Sequence, residues 1–211
     1  MGAPITLYVD SQFLSPYAMS VYVALTEKQL PFEVRPIDLS AGEQRMQPYQ
    51  CRALTARVPA LTHEDFNLTE SSVITEYLEE VFPAPQHAAL YPQAIRPRAR
   101  ARQLQAWLRS DLAALRQERP TETVFYGVAG EPLSDAGHAA SAKLIRVASY
   151  LIPVGQTTLF DTWSIADLDL AVMLQRLTLD DLPDPLRAYA DAQWQRPSVQ
   201  KWLEHNAAAR D

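Results

Sequence analysis

Residues 58–82, VPALTHEDFNLTESSVITEYLEEVF, carry the clearest structural signal in this 211-residue chain. Two short segments, 60–63 and 66–69, have the apolar and β-branched residues typical of strands, and Glu64-Asp65 between them predicts a tight turn. From Ser71 to Phe82 the apolar residues recur at helical spacing. We therefore predict a β-hairpin that leads directly into an amphipathic helix.

The residues before this segment predict a β-α-β unit. Residues 5–9 and 32–37 have the β-branched and aromatic composition of strands. Between them, Ser15-Pro16 provides an N-cap and a first helical residue, which predicts a helix that extends to Lys28. Two strands joined through a helix are expected to be parallel, and Pro36 favours an edge position for the second strand.

The second half of the chain has a different pattern. Four prolines within fifteen residues, from Pro83 to Pro97, interrupt helix formation and predict a linker over residues 84–96. Beyond the linker the periodicity predicts helices over residues 98–119, 134–151, 164–179, 186–194 and 197–209. We therefore predict an α/β domain at residues 1–83, with a loose, helix-compatible segment at 42–56, and an all-α domain at residues 97–211.

The composition excludes several classes of function. The chain has 19 Lys and Arg residues against 25 Asp and Glu residues, and its net charge of −6 argues against a general nucleic-acid binder. Cys51 is the only cysteine, so no intrachain disulfide and no multi-cysteine zinc site can form. The four histidines lack the spacing of a metal site, and the six glycines form no glycine-rich phosphate loop.

No targeting segment is expected. The first residues lack the basic and apolar regions of a signal peptide, and no run of about 18 apolar residues predicts a membrane span. With a single cysteine in the chain, the expected location is the reducing cytoplasm.

Four short motifs occur in a fixed order along the chain. Ser15-Pro16-Tyr17 follows the first predicted strand, and Val58-Pro59 precedes the hairpin. Glu70-Ser71 begins the helix after the hairpin, and Ser164-Ile165-Ala166-Asp167 begins a helix of the second half. In this order and spacing the motifs resemble the cytosolic glutathione transferase family over nearly the whole chain. The resemblance implies a thioredoxin-like N-terminal domain followed by an all-helical C-terminal domain.

Three stretches resemble the bacterial YfcF-type subgroup of that family, at residues 13–17, 103–112 and 193–196. The first places Ser15 where serine-type members carry their active serine. This implies a transferase that activates the thiol of its co-substrate glutathione and conjugates it to an electrophile, with glutathione-dependent peroxidase activity as a side reaction. The alternatives are a non-catalytic binding module of the same fold and an isomerase that uses glutathione as a cofactor. No permanently bound cofactor is expected.

Ser15 has a simpler interpretation as a helix cap, which contributes about 1 kcal/mol. In the resembled site both roles coexist, because the hydroxyl donates a hydrogen bond to the glutathione sulfur at the positive end of the helix dipole. Tyr8 in the first strand and Tyr17 in the first helical turn are alternative donors to the sulfur.

The other glutathione contacts are implied by the same resemblance. A cis bond at Val58-Pro59 would leave the Val58 backbone free to pair with the cysteinyl part of glutathione, with Pro59 in a structural role. Glu70 would pair with the ligand's ammonium, and Ser71 at the helix start with its γ-glutamyl carboxylate. Arg57 is a candidate for the glycyl carboxylate, with a solvated surface charge as the alternative.

The helical half adds candidates for a second-substrate pocket or a dimer interface. They are Trp107, Asp111 and Trp163, and Tyr17 of the first helix is a further candidate. Ser164 and Asp167 fit a structural capping box. The long helix that begins near Pro97 carries apolar and arginine rows and resembles the family's interface helix, so a homodimer is expected.

Overall fold

The computed structural model describes residues 4–178, 180 and 182–210. The described chain divides into two compact units, one formed by residues 4–90 with residues 198–210 and the other by Tyr91–Pro197. Residues 1–3 and 211, with which the predicted domains begin and end, lie outside the described residues. So does residue 179, where the third helix of the second half is predicted to end.

The first unit contains a four-stranded mixed sheet. Its strands are β1 (Ile5–Asp10), β2 (Glu33–Ile37), β3 (Ala60–His63) and β4 (Phe66–Thr69). Their order in the sheet is β2-β1-β3-β4; β1 and β2 are parallel, and the other pairs are antiparallel. The predicted β-α-β unit, the edge position of the second strand and the hairpin are therefore confirmed.

The helices are numbered along the chain. They are α1 (Pro16–Glu27), α2 (Ser71–Val81), α3 (Ile95–Ser110), α4 (Ala113–Glu118), α5 (Thr121–Tyr126), α6 (Asp135–Leu151), α7 (Ile165–Gln175), α8 (Asp184–Trp194) and α9 (Pro197–Ala208). Over residues 42–56, where a helix was compatible with the sequence, the structure has only the short 3-10 turn Glu43–Arg45. No helix of the described residues is long and apolar enough to cross a membrane.

A buried lysine joins the helices of the first unit to the proline-rich segment. Lys28 is 1% exposed, and its ammonium group donates to Glu79 Oε2 at 2.8 Å and to the carbonyl oxygens of Phe82 and Ala88 at 2.7 and 2.9 Å. A lysine has three donors, so these bonds satisfy the buried charge completely. Glu79 also accepts from the Leu90 N–H at 2.9 Å. The chain up to Leu90 is therefore fixed to the first unit.

The second unit is helical, as predicted, but the single helix predicted over residues 98–119 is wrong. Helix α3 ends at Ser110, and Leu112 has a φ of 61°, which interrupts the helical path before α4 begins. The N–H of Leu112 bonds to the Asp111 carboxylate at 2.7 Å, and the Arg116 guanidinium donates to the Leu108 and Asp111 carbonyl oxygens. These side-chain contacts replace the helical hydrogen bonds at the break.

The last helix groups with the first unit, although the predicted all-α domain extends to residue 211. Trp202 is completely buried and lies edge-on to the rings of Phe13 and Tyr22. The hydroxyl of Ser198 donates to the Glu27 carboxylate at the end of α1. The apolar face of α9 is therefore buried against the loop before α1 and against α1 itself.

Candidate active site

Three predicted motifs leave the sheet at the same edge. Strand β1 ends at Asp10, β3 begins at Ala60 opposite Tyr8, and β4 ends at Thr69 opposite Ala60. The loop after β1, the segment before β3 and the segment after β4 therefore all lie at one edge of the sheet. They carry Ser15, Val58-Pro59 and Glu70-Ser71, respectively, and α1 and α2 both begin there.

The loop that leads from β1 to Ser15 is held by Asp10. The Asp10 carboxylate accepts the N–H groups of Leu14 at 2.6 Å and of Ser15 at 2.9 Å, and its carbonyl oxygen accepts the N–H of Phe13 at 3.0 Å. Burial raises the pKa of Asp10, and the two backbone hydrogen bonds oppose that rise. Sequence analysis missed Asp10, whose only local signal is an acidic residue at the end of a strand.

Ser15 is the N-cap of α1. Its Oγ accepts the N–H of Ala18 at 3.2 Å, and the side chain is half-buried. In the described part of the chain the hydroxyl proton has no acceptor. The oxygen thus caps the helix while its proton is directed to no protein group, so the two roles considered for Ser15 are compatible.

The two tyrosines considered as alternatives differ in environment. Tyr8 is 7% exposed, and its ring lies edge-on to that of Tyr49, with centroids 5.7 Å apart. The guanidinium of Arg52 lies 6.0 Å from the centre of the Tyr8 ring. Tyr17 is half-buried in the first turn of α1, next to Ser15 in the sequence.

The segment before β3 is anchored by Tyr49. Its hydroxyl donates to the Arg57 carbonyl oxygen at 2.6 Å, and its ring packs with Tyr8, Ala53 and Ala60. Burial raises the pKa of Tyr49, with a smaller contribution from Tyr8, so the hydroxyl keeps its proton and remains a donor. Tyr49 was not singled out from the sequence, because its partner lies in a loop without regular spacing.

Residues 57–59 present unpaired polar groups at the sheet edge. The Val58-Pro59 bond is cis, as the resemblance predicts. Among residues that the structure describes, neither the N–H nor the C=O of Val58 has a hydrogen-bond partner, and the exposed Arg57 guanidinium has no ion pair. The edge therefore offers one free main-chain donor and one free main-chain acceptor, both on Val58, and one free positive charge.

The start of α2 has a different chemistry. Glu70 is exposed and has a φ of 70°, and its carbonyl oxygen accepts the N–H of Ile74 at 2.9 Å. Ser71, the first residue of the helix, is 4% exposed. Glu70 directly precedes α2, and α1 begins at the same edge, so positive helix-dipole ends and a carboxylate both occur there. A ligand with both anionic and cationic groups fits such a site.

Trp107 and Asp111 are brought together at the end of α3. The Trp107 Nε1 donates to Asp111 Oδ2 at 3.0 Å, and the Lys143 ammonium lies 3.0 Å from the same oxygen. The N–H of Leu112, followed by Lys143 and Trp107, lowers the pKa of Asp111 to about 2. The structure thus shows that these residues stabilise the α3–α4 break, while a role in a pocket or interface stays a prediction.

Trp163 and the predicted capping box are adjacent at the start of α7. Trp163 donates to Gln193 Oε1 at 3.0 Å, and the Arg196 guanidinium lies 4.1 Å from its ring centre. The Asp167 carboxylate accepts the N–H and hydroxyl of Ser164 at 2.8 and 2.9 Å. The N–H of Asp167 bonds back to Ser164, so the reciprocal cap is present.

Other chemistry finds little support in the described residues. No group of three His, Cys, Asp or Glu side chains among them is arranged to hold a metal ion. Cys51 is exposed, and its sulfur lies 3.0 Å from Gln47 Oε1.

Comparison with known proteins identifies the family. Residues 13–86 match the family model described as glutathione S-transferase, N-terminal domain, and residues 94–208 match that of the C-terminal domain. Glutathione S-transferase theta-1 from Homo sapiens is 30% identical over 209 residues, which cover 96% of this chain and 82% of the human protein.

Solved structures give the same result. A glutathione transferase homologue from Burkholderia GL BGR1, crystallised with bound glutathione, is 43% identical with a TM-score of 0.83, covering 97% of this chain and 99% of that one. Poplar glutathione transferase F1 is 26% identical with a TM-score of 0.72, covering 97% of this chain and 99% of its own.

These matches confirm the predicted thioredoxin-like domain followed by a helical domain. They also confirm the predicted enzyme class, glutathione transferase, and its co-substrate, glutathione. The chain belongs to the glutathione S-transferase family.

Proposed function

We propose that this glutathione transferase is of the serine type, like the YfcF-type subgroup, and that Ser15 activates the thiol of glutathione. The observation that carries the proposal is the Ser15 hydroxyl at the start of α1. Its oxygen accepts the Ala18 N–H, and its proton has no acceptor within residues 4–178, 180 and 182–210. That proton is therefore available to a sulfur anion placed at the helix start.

The available interactions are large enough for this task. A free thiol with a pKa of about 8.5 is only a few per cent thiolate at neutral pH. Lowering the pKa by about two units requires about 2.7 kcal/mol of preferential stabilisation of the thiolate. One hydrogen bond to a charged acceptor contributes about 1.5–3 kcal/mol, and the helix dipole adds up to about 1 kcal/mol. The thiolate of the co-substrate is then the nucleophile, and no protein nucleophile is needed.

The remaining groups at the sheet edge suit the other parts of glutathione. We assign the unpaired N–H and C=O of Val58 to the cysteinyl backbone and Arg57 to the glycyl carboxylate. The start of α2 at Ser71 is assigned to the γ-glutamyl carboxylate, and Glu70 to the ammonium. The bond from Tyr49 to the Arg57 carbonyl supports this arrangement, because it fixes the backbone beside Val58.

Replacing Ser71 with alanine is expected to weaken glutathione binding by about 1–3 kcal/mol, because a hydrogen bond to a charged carboxylate is lost. Thermal stability should fall by no more than the value of a helix cap, about 1 kcal/mol. Calorimetric titration with glutathione measures the first effect, and thermal unfolding measures the second. Ser72→Ala, one residue further along α2, is the control. If Ser71→Ala lowers stability with unchanged affinity, Ser71 has only a structural role at the start of α2.

Turnover distinguishes the proposed transferase from a non-catalytic binding module. We expect the purified chain to conjugate glutathione to an aryl halide with release of the halide ion. Peroxidase activity, in which two glutathiones reduce a hydroperoxide to an alcohol and water and become the disulfide, is tested alongside. Glutathione binding without turnover of any acceptor would support the binding module. If the product is a rearranged substrate without bound glutathione, the chain is an isomerase instead.

The second substrate is proposed to lie against side chains of the helical domain. Trp107, Asp111 and Trp163 of the helical unit remain the candidates for this pocket or for an interface, and Tyr17 stays a candidate within the first unit. All four side chains already have interaction partners in the protein; Trp107 bonds to Asp111, and Trp163 bonds to Gln193. Any contact with a substrate would therefore use the ring faces and edges that these bonds leave open.

We further propose that the protein is a homodimer in the cytoplasm. The N-terminal part of α3 exposes Ile95, at 82%, beside a row of exposed arginines, Arg96, Arg100 and Arg102. Two-fold homodimers are the commonest assemblies, and Ile95 is an exposed apolar side chain that an isologous contact would bury. Light scattering at micromolar concentration should give twice the chain mass of 23.7 kDa, and a monomeric mass would contradict the proposal.

A further inference from the structure

The loop that precedes Ser15 is held by the last helix of the chain. The side-chain amide of Asn206, itself 4% exposed, donates to the Gln12 carbonyl oxygen at 3.0 Å and to that of Phe13 at 3.4 Å. An asparagine amide has two N–H donors, so both can be used by these carbonyl groups. A buried polar group of α9 is thus bonded to the loop backbone of the residues just before Leu14 and Ser15.

Phe13 is the point at which this loop most needs support. Its φ of 54° is uncommon for a residue other than glycine, and such conformations persist where surrounding contacts fix them. Two side chains of α9 provide these contacts. The His205 ring stacks on the Phe13 ring at 5.0 Å with an interplanar angle of 13°, and the Trp202 ring lies edge-on at 5.0 Å.

We propose that Asn206 is a positioning residue for Ser15, holding residues 11–14 so that the Ser15 hydroxyl points at the thiol of bound glutathione. This inference rests on the proposed role of Ser15 in thiol activation. Asp10 holds the N–H groups of Leu14 and Ser15 from the sheet side. Asn206 holds the preceding carbonyl groups from the helix side, so the loop is restrained from both directions.

Such restraint matters more for activation than for binding. A hydrogen bond weakens steeply as its angle departs from linearity, so a small rotation of Ser15 reduces the stabilisation of the thiolate. The main-chain and charged groups of glutathione are assigned to residues 57–58 and 70–71, which belong to different segments from the Ser15 loop. Loss of Asn206 should therefore lower the rate with little change in the affinity for glutathione.

Asn206→Leu keeps a similar volume and removes both donors. We expect kcat/KM at neutral pH to fall roughly 10-fold, the scale expected for a small misplacement of a reacting group. The KM for glutathione should stay within about twofold, and the deficit should shrink at alkaline pH, where the thiol ionises without help. Asn206→Ala, which removes the donors and adds no bulk, is measured in parallel, so the result does not depend on folding of the leucine variant.

Ser198→Ala is the matched control, because Ser198 lies on the same helix and bonds to Glu27 rather than to the loop. It should keep the wild-type pH profile of kcat/KM whatever its effect on thermal stability, and His205 is retained in both variants. An equal loss of activity in Ser198→Ala and Asn206→Leu would overturn the proposal, because the effect would then be one of general α9 stability.

A double variant separates this inference from the proposed function. If Asn206 acts through Ser15, adding Asn206→Leu to Ser15→Ala should lower kcat/KM no further. A second full loss in the double variant would overturn the positioning role. If Ser15→Ala alone has the wild-type rate and profile, the proposed function fails, and the inference with it. If Ser15→Ala is impaired while Asn206→Leu keeps the wild-type profile, only the positioning role fails.

Discussion

Replacing Ser15 with alanine is expected to lower kcat/KM for glutathione transfer about 10- to 100-fold at neutral pH, since one hydrogen bond to a charged acceptor contributes about 1.5–3 kcal/mol. Affinity for glutathione should change much less, because the thiol is one of several contacts. The lost rate should return in part as pH rises, because hydroxide then ionises the thiol without help from the protein. The pH profile of kcat/KM and the ultraviolet absorbance of bound thiolate measure both effects.

Two further variants control this experiment. Ser134 is the N-cap of α6 and accepts the Gly137 N–H at 3.1 Å, much as Ser15 accepts the Ala18 N–H. Ser134→Ala thus removes a similar cap in the helical unit, and its pH profile should be that of the wild type. Ser15→Cys should not restore transfer, because a cysteine there favours a mixed disulfide with glutathione.

The opposite result has a specific meaning. A Ser15→Ala protein with the wild-type rate and an unshifted profile would remove Ser15 from the mechanism. Tyr17, in the first turn of α1, would then be the next residue to test. Tyr8 would be tested after Tyr17, because its side chain is less accessible and packs against Tyr49 and Arg52.

The elements that sequence analysis predicted correctly are those whose signals are local. The β3–β4 hairpin needs only two short strand segments and the Glu64-Asp65 turn between them. The start of α1 at Pro16 follows from the capping preference of Ser15 and the fixed φ of proline. Ser15, Val58-Pro59 and Glu70-Ser71 were singled out because the order of their motifs resembles the family, and their roles in binding and catalysis stay predictions.

The features that were missed depend on distant residues. The break after α3 is stabilised by Lys143, 32 residues beyond Asp111, whereas the apolar spacing on both sides of the break continues as if through one helix. The grouping of α9 with the first unit rests on partners such as Ser198 and Glu27, which lie 171 residues apart. Asn206 is separated from Gln12 by 194 residues, so no local pattern could have linked it to the loop before Ser15.

Removing the Asp167 carboxylate is expected to cause the largest loss of stability among single changes outside the candidate site. Besides the N–H and hydroxyl of Ser164, this carboxylate accepts the Leu159 N–H at 2.6 Å and the Tyr189 hydroxyl at 2.9 Å. Asp167 is completely buried, and Tyr189 is 1% exposed. Asp167→Ala therefore leaves three donors without an acceptor, and the Tyr189 hydroxyl with only its 3.4 Å contact to the carbonyl oxygen of residue 167, at a site that water does not reach.

The expected cost is about 3–5 kcal/mol, typical of breaking a buried polar network. For a chain of this size that is a fall in Tm of roughly 10 °C. Asp167→Asn keeps the shape of the side chain but turns an N–H₂ group toward donors. It should therefore lose less stability than Asp167→Ala, but more than the removal of an exposed helix cap. Thermal and urea unfolding of the wild type and the two Asp167 variants measure this order of stability.

Asp111→Asn tests whether burial is the cause. Asp111 also accepts a backbone N–H, from Leu112, and a side-chain N–H, from Trp107, but its side chain is 39% exposed. Water can replace the lost acceptor there, so the loss of stability should be much smaller than for Asp167→Asn. Equal losses at the two positions would show that the carboxylate of Asp167 contributes as an ordinary helix cap, and that its burial within the α7 start adds nothing to the stability of the helical unit.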